Sequence, residues 1–210
     1  MSTGVLGIHD GLSQAARVPM LTRAGRALSM VELAALLLLG AGAAALSFAL
    51  PDFRLGIPGN AILRSVFPMA LGLALVPRRL GGCVMGASAL ATSLVLHGSG
   101  VAGVGVAAMT SLSLTGPMLD LALWRARGGW RLYLGFVLAG LGSNLVAFAV
   151  RAGALWLGLQ FSGGGGGFAN RFALACFTYP ACGLAAGLIS AMVWFHFRRR
   201  QPPATDSGAP

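Results

Sequence analysis

The stretch Ile57–His97 constrains this chain more than any other. It holds two apolar runs, Ala61–Val76 and Leu80–Leu96, joined by the basic turn Pro77-Arg78-Arg79. At about 1.5 Å per residue, each run with its flanks is long enough for a hydrocarbon core of about 30 Å. Proline ends the first helix, and two arginines mark where an aqueous face begins. The pair reads as a membrane hairpin whose turn faces the cytoplasm, and the remaining segments are oriented from it.

Composition agrees. Of 210 residues, 56% are hydrophobic and only 10% charged, whereas a soluble domain needs about 25% charged residues to solvate its surface. The net charge is +10 and every basic residue is arginine. A basic balance can signal nucleic acid, but these arginines cluster at the ends of apolar runs. They lack the interleaved aromatics of a strand-binding platform, so no nucleic-acid partner is expected. Cys83, Cys176 and Cys182 lie inside apolar runs at spacings that fit neither a metal site nor a disulfide framework, and read as small buried hydrophobes.

In chain order, residues 1–28 form a polar cytoplasmic segment, residues 29–197 a six-helix membrane domain, and residues 198–210 a basic, disordered tail. Helix 1 is expected over Ser29–Leu50, with Ser29 and Glu32 at the spacing of a capping box. Its outer half is almost wholly small residues, and the pairs Gly40/Ala44 and Ala41/Ala45 would let another helix approach closely in lipid. A Pro/Gly-rich loop, Pro51–Asn60, precedes the hairpin. Helix 4 is expected over Val101–Trp124 with a kink at Gly116-Pro117, helix 5 over Trp130–Val150, and helix 6 over Arg171–Phe197. Between the last two lies a loop with a short apolar piece, Ala154–Leu159, and the run Gly163–Gly167. Helix 1 reads as a retained span rather than a cleaved signal peptide.

Six spans put both termini on one side. The N-terminal segment, the 2–3 turn, the 4–5 turn and the C-terminal cap hold eleven of the 15 arginines, and the opposite face holds Arg54, Arg64, Arg151 and Arg171. That excess predicts an all-α integral membrane protein with both termini cytoplasmic.

Polar groups inside a membrane are costly and therefore mark function by default. Arg64 lies one turn into helix 2 from the outer face. It either holds a substrate carboxylate or phosphate through a forked pair, or snorkels to the outer headgroups or pairs with Asp52. Ser111, Ser113, Asn144 and Tyr179 fall at similar depths in the outer half. With Asn60 and Arg64 they form the candidate substrate-binding set, and interhelical hydrogen bonding is the alternative reading of each. Trp156 is a candidate lid. Asp120 reads as a local salt bridge or cap near Arg125 and Arg127. His9, His97 and His196 are too scattered to hold a metal. Neither a phosphate loop nor a hydrolase motif is present, so the chain reads as a non-enzyme without a cofactor. The carboxylates and inverted repeat of an ion-coupled carrier are missing as well.

The six-span plan, the small-residue face of helix 1, the Gly/Pro outer loop and the segment PGNAILRSVFPMALGLALVPRR resemble the substrate-binding (S) component of an energy-coupling factor transporter. The resemblance covers about Glu32–Phe197. It implies an S-component-like bundle that captures a vitamin or cofactor precursor under loop 1–2, then passes it to a transmembrane scaffold subunit and ATPases. The family's Ala-xxx-Ala scaffold contact matches Ala41 and Ala45, here in the outer half of the helix. Metal-transporting members carry a histidine close behind the first methionine; this chain begins MSTGVLG, which argues for an organic solute. The expected location is the bacterial cytoplasmic (inner) membrane, in contact with lipid. The rival expectation is a non-transporting structural subunit of a cell-envelope or cell-shape complex.

Overall fold

A computed structural model describes residues 28–49, 57–100, 105–125, 129–158 and 172–198. The N-terminal segment up to Ala27, Asp52 and Arg54, Gly163–Gly167 and the tail from Arg199 lie outside the described residues. Those described form six α-helices and no extended strand. They are α1 (Met30–Ala49), α2 (Ala61–Leu75), α3 (Gly81–Gly98), α4 (Val106–Arg125), α5 (Gly129–Trp156) and α6 (Phe172–Arg198). All but α2 are long and apolar enough to cross a membrane, which makes this an α-helical, multi-pass membrane protein.

Helix α2 is the exception and the centre. Its 15 residues span about 22 Å, short of a hydrocarbon core of about 30 Å. It packs against α1, α3, α4 and α6, more neighbours than any other helix has. Around it, α4 packs on α3 and α5, and α5 on α6. Leu36, Met69, Leu73, Met85, Leu112, Leu119, Phe136 and Trp194 fill one continuous core.

Each helix runs antiparallel to the one before it. Glu32 of α1 meets Arg78 in the α2–α3 turn, while Ser47 at the far end of α1 meets Arg64 near the start of α2. Tyr133 in α5 stacks on Phe195 in α6. The start of α1 and the end of α6 therefore share the end of the bundle that carries the α2–α3 turn, here called the turn end.

The capping box forms as the spacing predicts. The Ser29 N–H donates to Glu32 Oε2 at 2.9 Å, and the Glu32 N–H donates to Ser29 Oγ at 3.1 Å. The same carboxylate takes Arg78, whose Nε and Nη2 donate to Oε1 at 3.2 and 3.1 Å. One glutamate thus starts α1 and anchors the α2–α3 turn to it.

Glycines set the helix crossings. A Cβ at Gly82 would collide with the Gly116 carbonyl, one at Gly86 with the Ser113 carbonyl, and one at Gly40 with the Met85 carbonyl. On the other side, a Cβ at Gly187 would lie 2.5 Å from Val137 Cα and 2.8 Å from the Phe136 carbonyl carbon. Backbones in lipid gain contact by such close approach. Gly40 and Ala44 are therefore the buried pair of α1, while Ala41 is half-buried and Ala45 exposed.

Several boundaries and environments differ from expectation. Helix α5 continues through Arg151 to Trp156, because the apolar piece after Arg151 carries on the helix rather than forming a loop. Helix α4 begins at Val106, five residues later than expected, and holds Pro117 within its length. Cys176 is exposed and Cys83 and Cys182 are half-buried, not buried. A surface facing lipid tolerates a thiol as readily as a protein core does.

Gly187→Ala is expected to destabilise the bundle by about 1–3 kcal/mol, since only backbone stands in the way of the new methyl group. Gly42→Ala, with nothing within 4 Å of its Cβ, is expected to leave stability unchanged or slightly raised. Thermal unfolding of the two variants in the same detergent measures the contrast.

Candidate functional site

Four of the six candidate residues, Asn60, Arg64, Asn144 and Tyr179, gather around the entry to α2. Gly59 sits in the turn before that helix with φ +85°, and its neighbours approach closely. A Cβ there would be 3.0 Å from the Tyr179 ring and 3.2 Å from Asn144 Nδ2. Glycine is required on both counts, by the left-handed backbone and by the space.

Asn144 is buried in α5 and spends its amide on two main-chain carbonyls. Nδ2 donates to Tyr179 O at 2.7 Å and to Gly59 O at 3.2 Å. A primary amide has two donors, and here one reaches α6 and the other reaches the turn before α2. Tyr179 is buried as well, its ring 5.3 Å from that of Phe148 on α5. Ala107, Ala147 and Ala175 complete this satellite cluster and join α4 to α5 and α6.

Arg64 lies one turn into α2. Its Nη1 donates to Ser47 O on α1 and its Nη2 to Asn60 Oδ1, each at 3.3 Å. Asn60 is the residue before the first turn of α2 and of a type that ordinarily caps, yet it makes no side-chain cap hydrogen bond. Its carboxamide oxygen turns to the guanidinium instead. The helix's positive N-terminal end and a cation therefore stand side by side at the base of the α1–α2 connection. Asp52, the alternative partner expected for Arg64, lies outside the described residues.

Ser111 and Ser113 occupy a different place. The Ser113 carbonyl packs on Gly86 at the α3–α4 seam, and its Oγ donates to Thr110 O at 3.0 Å. Ser111 is buried, and its Oγ has no hydrogen-bond partner among the described residues. Its carbonyl accepts from Thr115 Oγ1 at 2.6 Å. Asn60, Arg64, Asn144 and Tyr179 are thus linked through the α2 entry, and the two serines are tied to α4 itself and to its seam with α3. Trp156, the candidate lid, closes α5 and is almost fully exposed.

Asp120 has a role that local reading missed. It is buried in α4, and its Oδ2 accepts the Cys83 N–H at 2.9 Å. That N–H belongs to the first turn of α3, so the carboxylate satisfies an orphan donor at the positive end of a helix 37 residues away in sequence. A cap was expected, but on its own segment. Proximity to Arg125 and Arg127 hid the long-range partner, and only the glycine crossing at Gly82 and Gly116 brings it within reach.

Among the described residues, His, Cys, Asp and Glu form no group of three able to hold a metal. No protein-family model matches the chain, and no curated protein or solved structure matches it.

Replacing Asn144 by Leu removes both donors while keeping the volume. It is expected to cost about 1–3 kcal/mol and to speed hydrogen exchange in the residues around Gly59. A Gly59 segment that exchanged no faster in the variant would show that Asn144 does not hold the α2 entry.

Proposed function

We propose that this protein captures a small organic solute, of vitamin or cofactor-precursor type and bearing an anionic group, at the end of the bundle opposite the α2–α3 turn. In this reading that end faces outward from a bacterial cytoplasmic membrane, and both termini lie inside. The solute then passes to partner subunits, a transmembrane scaffold and ATPases, because the chain has no phosphate loop of its own. The exposed Ala45 and half-buried Ala41 on α1 serve as the scaffold contact. The protein binds and does not itself catalyse.

The observation that carries this reading is the pairing of Arg64 with Asn60 at the N-terminus of α2. A guanidinium fork beside a helix N-terminal end suits a carboxylate or phosphate. Arg64 and Asn60 are then the ligand contacts. Asn144 and Tyr179 act as the latch that holds the α2 entry against α5 and α6, and ligand arrival is coupled to that latch through Gly59. Ser111 offers an unspent hydroxyl in the same bundle.

A second reading has its own observation. The Asn144 Nδ2 group donates to two main-chain carbonyls, and Gly59 has no room for a Cβ, so this part of the bundle is packed as a structural joint. That favours a non-transporting subunit of an envelope complex, docked through α1.

A thermal-shift screen of the detergent-purified chain against vitamins, their precursors and divalent metals separates the two. A solute at about a hundred times its dissociation constant stabilises the folded state by roughly 2.7 kcal/mol, and Arg64→Ala is expected to abolish the shift. A screen in which no compound raises the melting temperature favours the structural subunit. The orientation has a separate test. Alkaline phosphatase, whose disulfides need an oxidising compartment, is expected to be inactive when fused after Pro210, and an active fusion would reverse the topology.

A further inference from the structure

The turn end of the bundle presents a chemically different surface. Arg79 and Leu80 in the α2–α3 turn, Trp124 in the last turn of α4, and Trp130 and Arg131 in the first turn of α5 are all exposed. The Arg79 guanidinium lies 5.8 Å from the centre of the Trp124 ring, and that of Arg131 lies 5.4 Å from the centre of the Trp130 ring. At these distances each cation is drawn to the ring's negative face, and a guanidinium so held keeps five N–H donors for an anion. Among the described residues neither Arg79 nor Arg131 is paired with a carboxylate. Arg78, one residue before Arg79, is spent on Glu32. Consecutive arginines are thus divided, one joined to the fold and the other presented to the surroundings.

Leu80 adds an independent observation. Its φ is +69°, a left-handed conformation that a branched side chain adopts at a cost, and the side chain is 64% exposed. The strained turn holds an apolar side chain outward beside an arginine and a tryptophan. Soluble phosphate has no use for such apolar groups, whereas a phospholipid presents acyl chain and phosphate together. Tryptophan at the boundary of an apolar span matches the depth of the headgroups.

We infer that Arg79, Leu80 and Trp124, flanked by Trp130 and Arg131, form a binding site for an anionic phospholipid. The guanidinium forks take the headgroup phosphate, and the acyl chains lie on Leu80 and the indole. This site is independent of solute capture at the opposite end.

Native mass spectrometry of the full-length chain tests it, in mixed micelles holding equal phosphatidylglycerol and phosphatidylcholine. At low ionic strength the anionic adduct is expected to exceed the zwitterionic one by about fivefold for each engaged arginine. Arg79→Gln is expected to lose that factor and Arg79→Lys, which keeps the charge without the fork, to keep only part of it, while Arg151→Gln, at the opposite end, is expected to keep it. Trp124→Leu leaves Arg79 and Arg131 in place, removes the ring beneath Arg79, and is expected to lower the preference by about twofold or more. It decides the matter if Arg79→Gln does not fold. Equal adducts on the native chain would overturn the site and leave only ordinary annular lipid. A preference that Arg151→Gln reduces as much as Arg79→Gln, or that Trp124→Leu leaves unchanged, would overturn it in favour of diffuse charge attraction.

Discussion

Close approach of helix backbones is the constraint on which the rest of this bundle depends. Lipid chains are as apolar as leucine, so burying apolar surface gives helices little reason to associate. Contact must come from packing, and packing is densest where side chains are absent. Gly82 against Gly116, Gly40 against the Met85 carbonyl, and Gly140 with Gly183 and Gly187 provide those contacts. Each brings main-chain groups of one helix to the surface of another, and polar side chains then have something to reach. Asp120 reaches the Cys83 N–H because Gly82 and Gly116 have already brought α3 and α4 together.

The polar contacts between helices follow from this. The Asn144 amide, the Arg64 guanidinium and the Ser88 hydroxyl each donate to a carbonyl of another element. By contrast, Ser47, Ser65, Thr110, Thr115 and Ser190 bond back to their own helices. Back-bonding satisfies a hydroxyl without specifying a neighbour. The bundle is therefore registered by a few polar groups that reach across helices, while many of its hydroxyls bond only within their own helix. The central position of the short α2 makes its two ends the natural places for such registration. Arg78–Glu32 holds one end, and Asn144, Asn60 and Arg64 hold the other.

Much of the fold was readable from local pattern. The apolar lengths and arginine clusters identify the spans, and Ser29 and Glu32 announce the start of α1 three residues apart. The extension of α5 to Trp156 was not readable, because Arg151 looks like a terminus when its half-buried position is unknown. The environment of the cysteines escaped for the same reason, since an apolar run does not say which of its faces meets lipid. At the candidate site, Asn60, Arg64, Asn144 and Tyr179 stand out in the sequence as polar or aromatic groups in apolar surroundings. Their grouping apart from Ser111 and Ser113 does not.

Local chemistry alone determined that this chain is helical and spans a membrane several times, because hydrogen-bond satisfaction in lipid and residue composition act segment by segment. Tertiary structure decided which glycines became crossings, which carbonyls Asn144 would join, and which helix Asp120 would cap. Those outcomes depend on partners separated by tens of residues, whose meeting is set by how whole helices pack.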